Sequence, residues 1–145
     1  MSESINLSEK LKLAIDGAYE RGHPIVVAYI DEAGKPSLSV RGSTQVLNET
    51  QIGLWARKRD SGMATAITTN PNVALIFFGN LPDGSKMLAT LNGRAHDDAS
   101  RNAEVYDTMN ETEQKYDPDA KGIAIIVDVD TVTGMTADGP FRQGS

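Results

Sequence analysis

The sequence contains no cysteine, and this absence alone removes several chemistries. There can be no disulfide, no thiolate metal site and no cysteine nucleophile. Histidine is almost as scarce. Only His23 and His96 occur, far apart in the chain, so no zinc or other metal centre is expected. Long hydrophobic runs are missing as well: the longest, 25–30 and 123–127, fall far short of the ~20 residues that span a bilayer. The opening MSESINLSEK has no basic stretch ahead of an apolar core, so no secretory signal is expected and the cytoplasm is the expected compartment. Positive charge is in short supply, with 14 Lys and Arg against 20 Asp and Glu and a net charge of −6. Nucleic acid and membrane are therefore not expected as partners, since binding them runs on a surplus of cations.

Familiar catalytic loops are absent too. There is no GxSxG elbow, no Walker loop and no GxGxxG turn. DPDAKG (117–122) has the look of a calcium loop, but Lys121 stands at a ligand position and Asp128 replaces the final bidentate Glu. No side-chain constellation for acid–base or nucleophilic catalysis stands out, so no catalytic residue is assigned.

What is present is an ordinary globular balance, with 39% hydrophobic and 23% charged residues over 145 positions. No repeat or long linker divides the chain, so 1–145 is expected to be a single domain. Residues 6–19 predict a helix with Leu7, Leu11, Ile15 and Ala18 on one stripe, opened by an Asn6/Glu9 capping box. Six strands are predicted, at 24–30, 36–47, 51–58, 73–78, 86–96 and 122–130. A short helix is predicted over 60–70. Another, after Asp97-Asp98 and running to about Asn110, turns Ala99, Ala103, Tyr106 and Met109 inward. The polar stretch 111–120 reads as a loop, and a Gly/Thr-rich tail closes the chain. Strands joined mostly by short turns imply a mainly β fold with peripheral helices, a six-stranded antiparallel barrel.

Two strands carry the chemistry. In 36–47, alternation places Leu38, Val40 and Val46 on one face and Ser39, Arg41, Ser43 and Gln45 on the other. In 51–58 the same test separates Ile52, Leu54 and Ala56 from Gln51, Gly53, Trp55 and Arg57. A hairpin loop at 48–50 sets Ser43 opposite Trp55 and Arg41 opposite Arg57. Two arginines facing each other across a ladder repel unless an anion lies between them, and guanidinium forks suit phosphate oxygens. Lys58, Ser61 and the start of the next helix stand beside them, where a helix amino end favours an anion. Trp55 offers a flat wall for a ring system. The pattern asks for an aromatic ligand with a phosphate tail, which describes FMN. The plainer alternative is a solvated sheet face with a core tryptophan.

These residues give the chain its resemblance to a family. SVRGSTQ around Arg41, the strand end LWARKR, the helix closed by TTNPNVALIFF (68–78) and LNGRAHDD (91–98) resemble, in order and spacing, the pyridoxamine 5′-phosphate oxidase-like FMN-binding split β-barrels. The resemblance runs from about Pro24 to Gly93 and more loosely to Val132. It implies a homodimer with FMN in grooves between the protomers, and makes Arg41, Ser43, Trp55, Arg57, Lys58 and Ser61 the cofactor contacts, with Arg94 a further candidate. The implied activity is an FMN-dependent oxidoreductase acting on an unidentified small-molecule substrate. A deazaflavin-dependent reductase, whose cofactor's longer acidic tail Arg57-Lys58-Arg59 could suit, is the alternative, as is a non-catalytic module that carries flavin or haem. The chain departs from the family where many members have Arg-Lys or Lys at the helix start, since Gly62-Met63 stands there. It also ends at GPFRQGS, without the longer tail of the true pyridoxamine-phosphate oxidases.

Overall fold

The computed structural model describes residues 3–145. Its elements are α1 (Lys10–Ile15), β1 (Val26–Ile30), β2 (Pro36–Val40), β3 (Gln45–Val46), β4 (Gln51–Ala56), α2 (Met63–Thr69), β5 (Asn72–Asn80), β6 (Lys86–Asp97), α3 (Asn102–Thr108), α4 (Glu111–Tyr116), β7 (Ile123–Thr136) and β8 (Gly139–Gly144). All pairings between these strands are antiparallel, in the order β2-β1-β5-β6-β7-β4-β3, with β8 on β7. β2 and β3 stand at opposite ends of that path yet are joined by four residues, so the chain itself bends the sheet into a barrel. No described helix is long and apolar enough to cross a membrane.

Among the described residues eight strands form rather than six, for two reasons. The predicted strand 36–47 is cut by a turn at 41–44, in which the Thr44 amide and hydroxyl both donate to the Arg41 carbonyl, at 3.2 and 2.7 Å. The tail pairs with β7 as β8. The turn at 41–44 also reverses the faces. Val46 is buried opposite Ile52, whereas Leu38 and Val40 lie on the outside of the barrel. Leu38, Val40 and Val46 therefore do not share a face as the alternation predicts.

The barrel interior is filled by alternate residues of β1, β4, β5, β6 and β7, among them Val27, Ile52, Leu54, Leu75, Phe77, Leu91, Ile125 and Val127. The predicted N-terminal stripe Leu7, Leu11, Ile15 and Ala18 joins this core, although regular helix covers only Lys10–Ile15. Asn6 caps a turn by accepting from the Ser8 amide instead of opening the helix. A second, smaller cluster lies outside the barrel, where α3 packs on β4 and β7 through Val105, Met109, Trp55, Ala124 and Ile126. Val105 takes the inward position there. Ala99 and Ala103, expected to face inward, are exposed.

The stretch 111–120 is not a loop throughout. Asn110 caps α4 by accepting from the Glu113 amide at 2.9 Å, and its amide group donates to the Gly42 carbonyl at 2.8 Å. The helix is thereby tied to the turn that divides β2 from β3.

Candidate functional site: a cationic cavity at the barrel end

β3 and β4 pair in the predicted register, Gln45 with Gly53 and Val46 with Ile52. Past Gln45 the backbone ladder ends and a side chain replaces it: the Trp55 amide donates to the Ser43 hydroxyl at 2.8 Å. Two steps further along, Arg41 and Arg57 both border a cavity of about 550 Å3, together with Tyr29, Ala56, Lys58, Ser61, Gly62, Met63 and Tyr116. It opens at the end of the barrel where β1 and β4 terminate.

The electrostatics of this cavity are one-sided. None of the ion pairs among the described residues involves Arg41, Arg57 or Lys58. Three cations without a bridging carboxylate stand out in a chain with six more acidic than basic residues. Arg41 is half-buried, and its Nε donates to the Ser39 hydroxyl at 2.9 Å. Burial lowers its pKa below the usual arginine value, Tyr29 and Glu113 oppose this, and the Arg57 charge adds to the lowering. The Arg57 guanidinium lies 5.0 Å from the centre of the Tyr116 ring, a cation–π contact that holds it toward the cavity. Arg59, its near neighbour in sequence, is turned away, with its Nε donating to the Lys121 carbonyl at 2.9 Å and its other end to the Gly122 carbonyl.

Of the six residues predicted as contacts, Arg41, Arg57, Lys58 and Ser61 border this cavity and Ser43 and Trp55 do not. Ser43 is 2% exposed and faces a separate depression near Asp16 and Gln45. Trp55, 3% exposed, offers no open ring face. It packs edge-to-face on Tyr106 at 5.3 Å, and its indole N–H donates to Asp117 at 2.9 Å. Arg94 is engaged elsewhere, in an exposed pair with Asp130 at 2.9 Å.

The helix expected from Asp60 begins at Met63, which explains the departure at Gly62-Met63. Gly62 has φ 60° and ψ −132°, a conformation that strains any residue with a Cβ, and Met63 is buried in the core. Neither position suits a basic side chain, and the cations stand on the strand end instead. Tyr29 and Tyr116 are the residues that sequence reasoning missed. For Tyr116 the signal was there, because Asn110 and Glu113 have the same spacing as Asn6 and Glu9.

No protein-family model matches the chain, and no curated protein matches it by sequence. Solved structures do match in shape. A protein related to general stress protein 26, of the pyridoxinephosphate oxidase family, from Clostridium acetobutylicum superposes with a TM-score of 0.61 at 14% identity, covering 94% of this chain and 96% of that one. This chain has the pyridoxamine 5′-phosphate oxidase-like split-barrel fold. An FMN-binding protein from Syntrophomonas wolfei matches the split barrel with a TM-score of 0.62 at 12% identity, covering 90% and 86% of the two chains. A heme binding protein from Mycobacterium smegmatis matches with a TM-score of 0.68 at 12% identity, covering 93% of this chain and 57% of its own. The split barrel thus serves more than one cofactor among these neighbours.

Proposed function

We propose that this split-barrel protein binds FMN and works as a homodimeric, flavin-dependent oxidoreductase on a small-molecule substrate. The observation that carries this reading is the unpaired cation set: Arg41, Arg57 and Lys58 converge on one cavity without a bridging carboxylate. A phosphate offsets their mutual repulsion, and guanidinium groups grip its oxygens in paired geometry. Arg41 and Arg57 would hold the phosphate, with Lys58 and the Ser61 hydroxyl at its rim. When bound, FMN supplies two-electron redox chemistry, and the protein's part is orientation and electrostatics. The FMN-binding neighbour from Syntrophomonas wolfei supports this choice of cofactor. A haem reading has less to stand on, because neither histidine borders the cavity: His23 packs on Phe77 and His96 lies 3.6 Å from Asp128.

The homodimer is supported by an uncovered apolar face. Val40 pairs with Val26, Val26 with Ile76, Phe78 with Leu88, and Leu88 with Met135, so these side chains share the outer face of five strands. Helices cover the outer face on β4 and β7, but here Leu38 is 73% and Phe78 70% exposed. Residues this apolar in one contiguous patch mark an association surface. Arg41 directly follows Val40, so the cationic cavity lies at its margin and a second protomer would complete it.

An absorption spectrum of the purified protein, followed by FMN titration, tests the reading. Flavin bands, or tight uptake of added FMN that is lost in Arg41→Ala, are expected. A colourless protein indifferent to FMN overturns it.

A further inference from the structure

Helix α4 buries none of its residues, yet it is fastened along its whole length. At its start the Asn110 amide group donates to the Gly42 carbonyl at 2.8 Å. Within it, the Gln114 amide group donates to the Tyr106 carbonyl at 2.9 Å. Just past its end, the buried Asp117 carboxylate accepts from the Trp55 indole at 2.9 Å and from the Gly122 amide at 2.8 Å. A six-residue helix that adds nothing to a core is not stable on its own. These bonds therefore serve what the helix carries. Its last residue, directly before the Asp117 anchor, is Tyr116, which is 57% exposed and borders the cationic cavity.

Tyr116 meets Arg57 in a way that uses up none of its donors. Arg57 lies beyond the end of β4 and enters no ion pair and no side-chain hydrogen bond among the described residues. Its guanidinium carbon stands over the Tyr116 ring, 5.0 Å from the centre. The neighbouring arginines are held differently. Arg41 gives its Nε to the Ser39 hydroxyl, and Arg59 donates to the Lys121 and Gly122 carbonyls. Each donor used within the protein is one fewer for an anion, and a carboxylate partner would offset the charge as well. A ring face attracts the cation through its quadrupole, so the N–H groups and the full charge stay available.

Resting on the phosphate reading above, we infer that Tyr116 is a positioning residue: its ring orients the Arg57 guanidinium toward the cavity and leaves its donors to the bound anion. Tyr116 acts through Arg57 and is not a stacking wall for the flavin ring. The two roles differ in what they favour. A stacking wall serves FMN and riboflavin alike, whereas an oriented guanidinium serves only a ligand that carries the phosphate.

The test is calorimetric titration of the full chain with FMN, riboflavin and inorganic phosphate. The proteins compared are the wild type, Tyr116→Phe, Tyr116→Leu, Arg57→Ala and Arg57→Ala/Tyr116→Leu. Tyr116→Leu should weaken FMN and inorganic phosphate by about three- to tenfold and leave riboflavin nearly unchanged. Tyr116→Phe keeps the ring and should stay within about twofold of the wild type for all three. In the Arg57→Ala background the loss caused by Tyr116→Leu should disappear, the mark of a residue that acts through its partner. Tyr116 fills no core position, so native circular dichroism is expected throughout, and Tyr116→Met replaces the leucine variant should that one unfold. Full FMN affinity in Tyr116→Leu, an equal loss of riboflavin, or a loss that persists without Arg57 overturns the inference while the phosphate reading stands. A wild type that binds neither FMN nor inorganic phosphate overturns the phosphate reading and the inference with it.

Discussion

The Trp55 indole N–H and the Asp117 carboxylate form a hydrogen bond of 2.9 Å beneath α3 and α4, outside the barrel. The same carboxylate accepts from the Lys121 amide at 3.0 Å and the Gly122 amide at 2.8 Å, so it gathers the turn that leads into β7. Tyr106 completes the joint by donating its hydroxyl to the Asp117 carbonyl at 2.8 Å. The tryptophan on the strand that carries the site is thus an anchor for helices, and the cavity's own aromatics are Tyr29 and Tyr116.

This joint predicts an acid-sensitive stability. Burial pushes the Asp117 carboxyl up, but the amide donors and the indole outweigh it and leave its pKa below the usual carboxylate range. A depressed folded-state pKa contributes stability above the unfolded value, and that stability is lost as pH falls through the folded value. Asp117→Asn keeps one acceptor but turns an N–H₂ toward donors, and should cost about 1–3 kcal/mol at neutral pH. Denaturant titrations from pH 7 down to pH 3 should show the wild type and variant converging as the pH drops. A constant difference would contradict this assignment.

Gly122 makes the same joint sterically demanding. A Cβ there would lie 2.3 Å from the Ala56 carbonyl oxygen and 2.6 Å from the Trp55 Nε1, and backbone cannot yield cheaply. Gly122→Ala is expected to destabilise by about 1–3 kcal/mol and to red-shift the emission of Trp55, the only tryptophan. An unchanged melting temperature and spectrum would count against the packing described.

Ser43 and Arg41 should separate cleanly under mutation. Ser43→Ala removes the acceptor for the buried Trp55 amide and should lower stability by about 1–3 kcal/mol while leaving FMN affinity within about twofold. Arg41→Ala should do the reverse, weakening FMN by about 10- to 100-fold, the range of a charged hydrogen bond. Thermal melts with and without inorganic phosphate offer a second readout, because a ligand bound only to the folded state raises the melting temperature. That rise should vanish in Arg41→Ala and persist in Ser43→Ala.

The uncovered face should respond to charge. Leu38→Asp/Phe78→Asp places two carboxylates where a partner would need apolar surface, and light scattering should report a monomer with native circular dichroism. Because the cavity lies at the margin of that face, FMN affinity is expected to fall with the dimer. A wild-type monomer that binds FMN would refute the dimeric arrangement.

Much of this was legible in the chain. The runs 73–78 and 86–96 became β5 and β6, and the pairing of Gln45 with Gly53 follows from keeping like faces together. Arg41 is not opposite Arg57 in a ladder but reaches the same cavity from beyond the 41–44 turn, with its amide donating to the Ile25 carbonyl. The turn at 41–44 was hidden because Ser39, Arg41, Ser43 and Gln45 alternate without interruption, although the backbone turns between them. Trp55 was misplaced for a different reason: its outer face is covered by α3 and by Ala120, more than forty residues away, and no local pattern announces such cover.

Whether the cations hold a phosphate is decided by calorimetric titration with FMN and with riboflavin, which differ only in that group. FMN should bind at least about 100-fold more tightly than riboflavin, the gap should narrow with rising salt, and Arg41→Ala/Arg57→Ala should nearly erase it. Equal affinity for the two flavins in the wild type would contradict it.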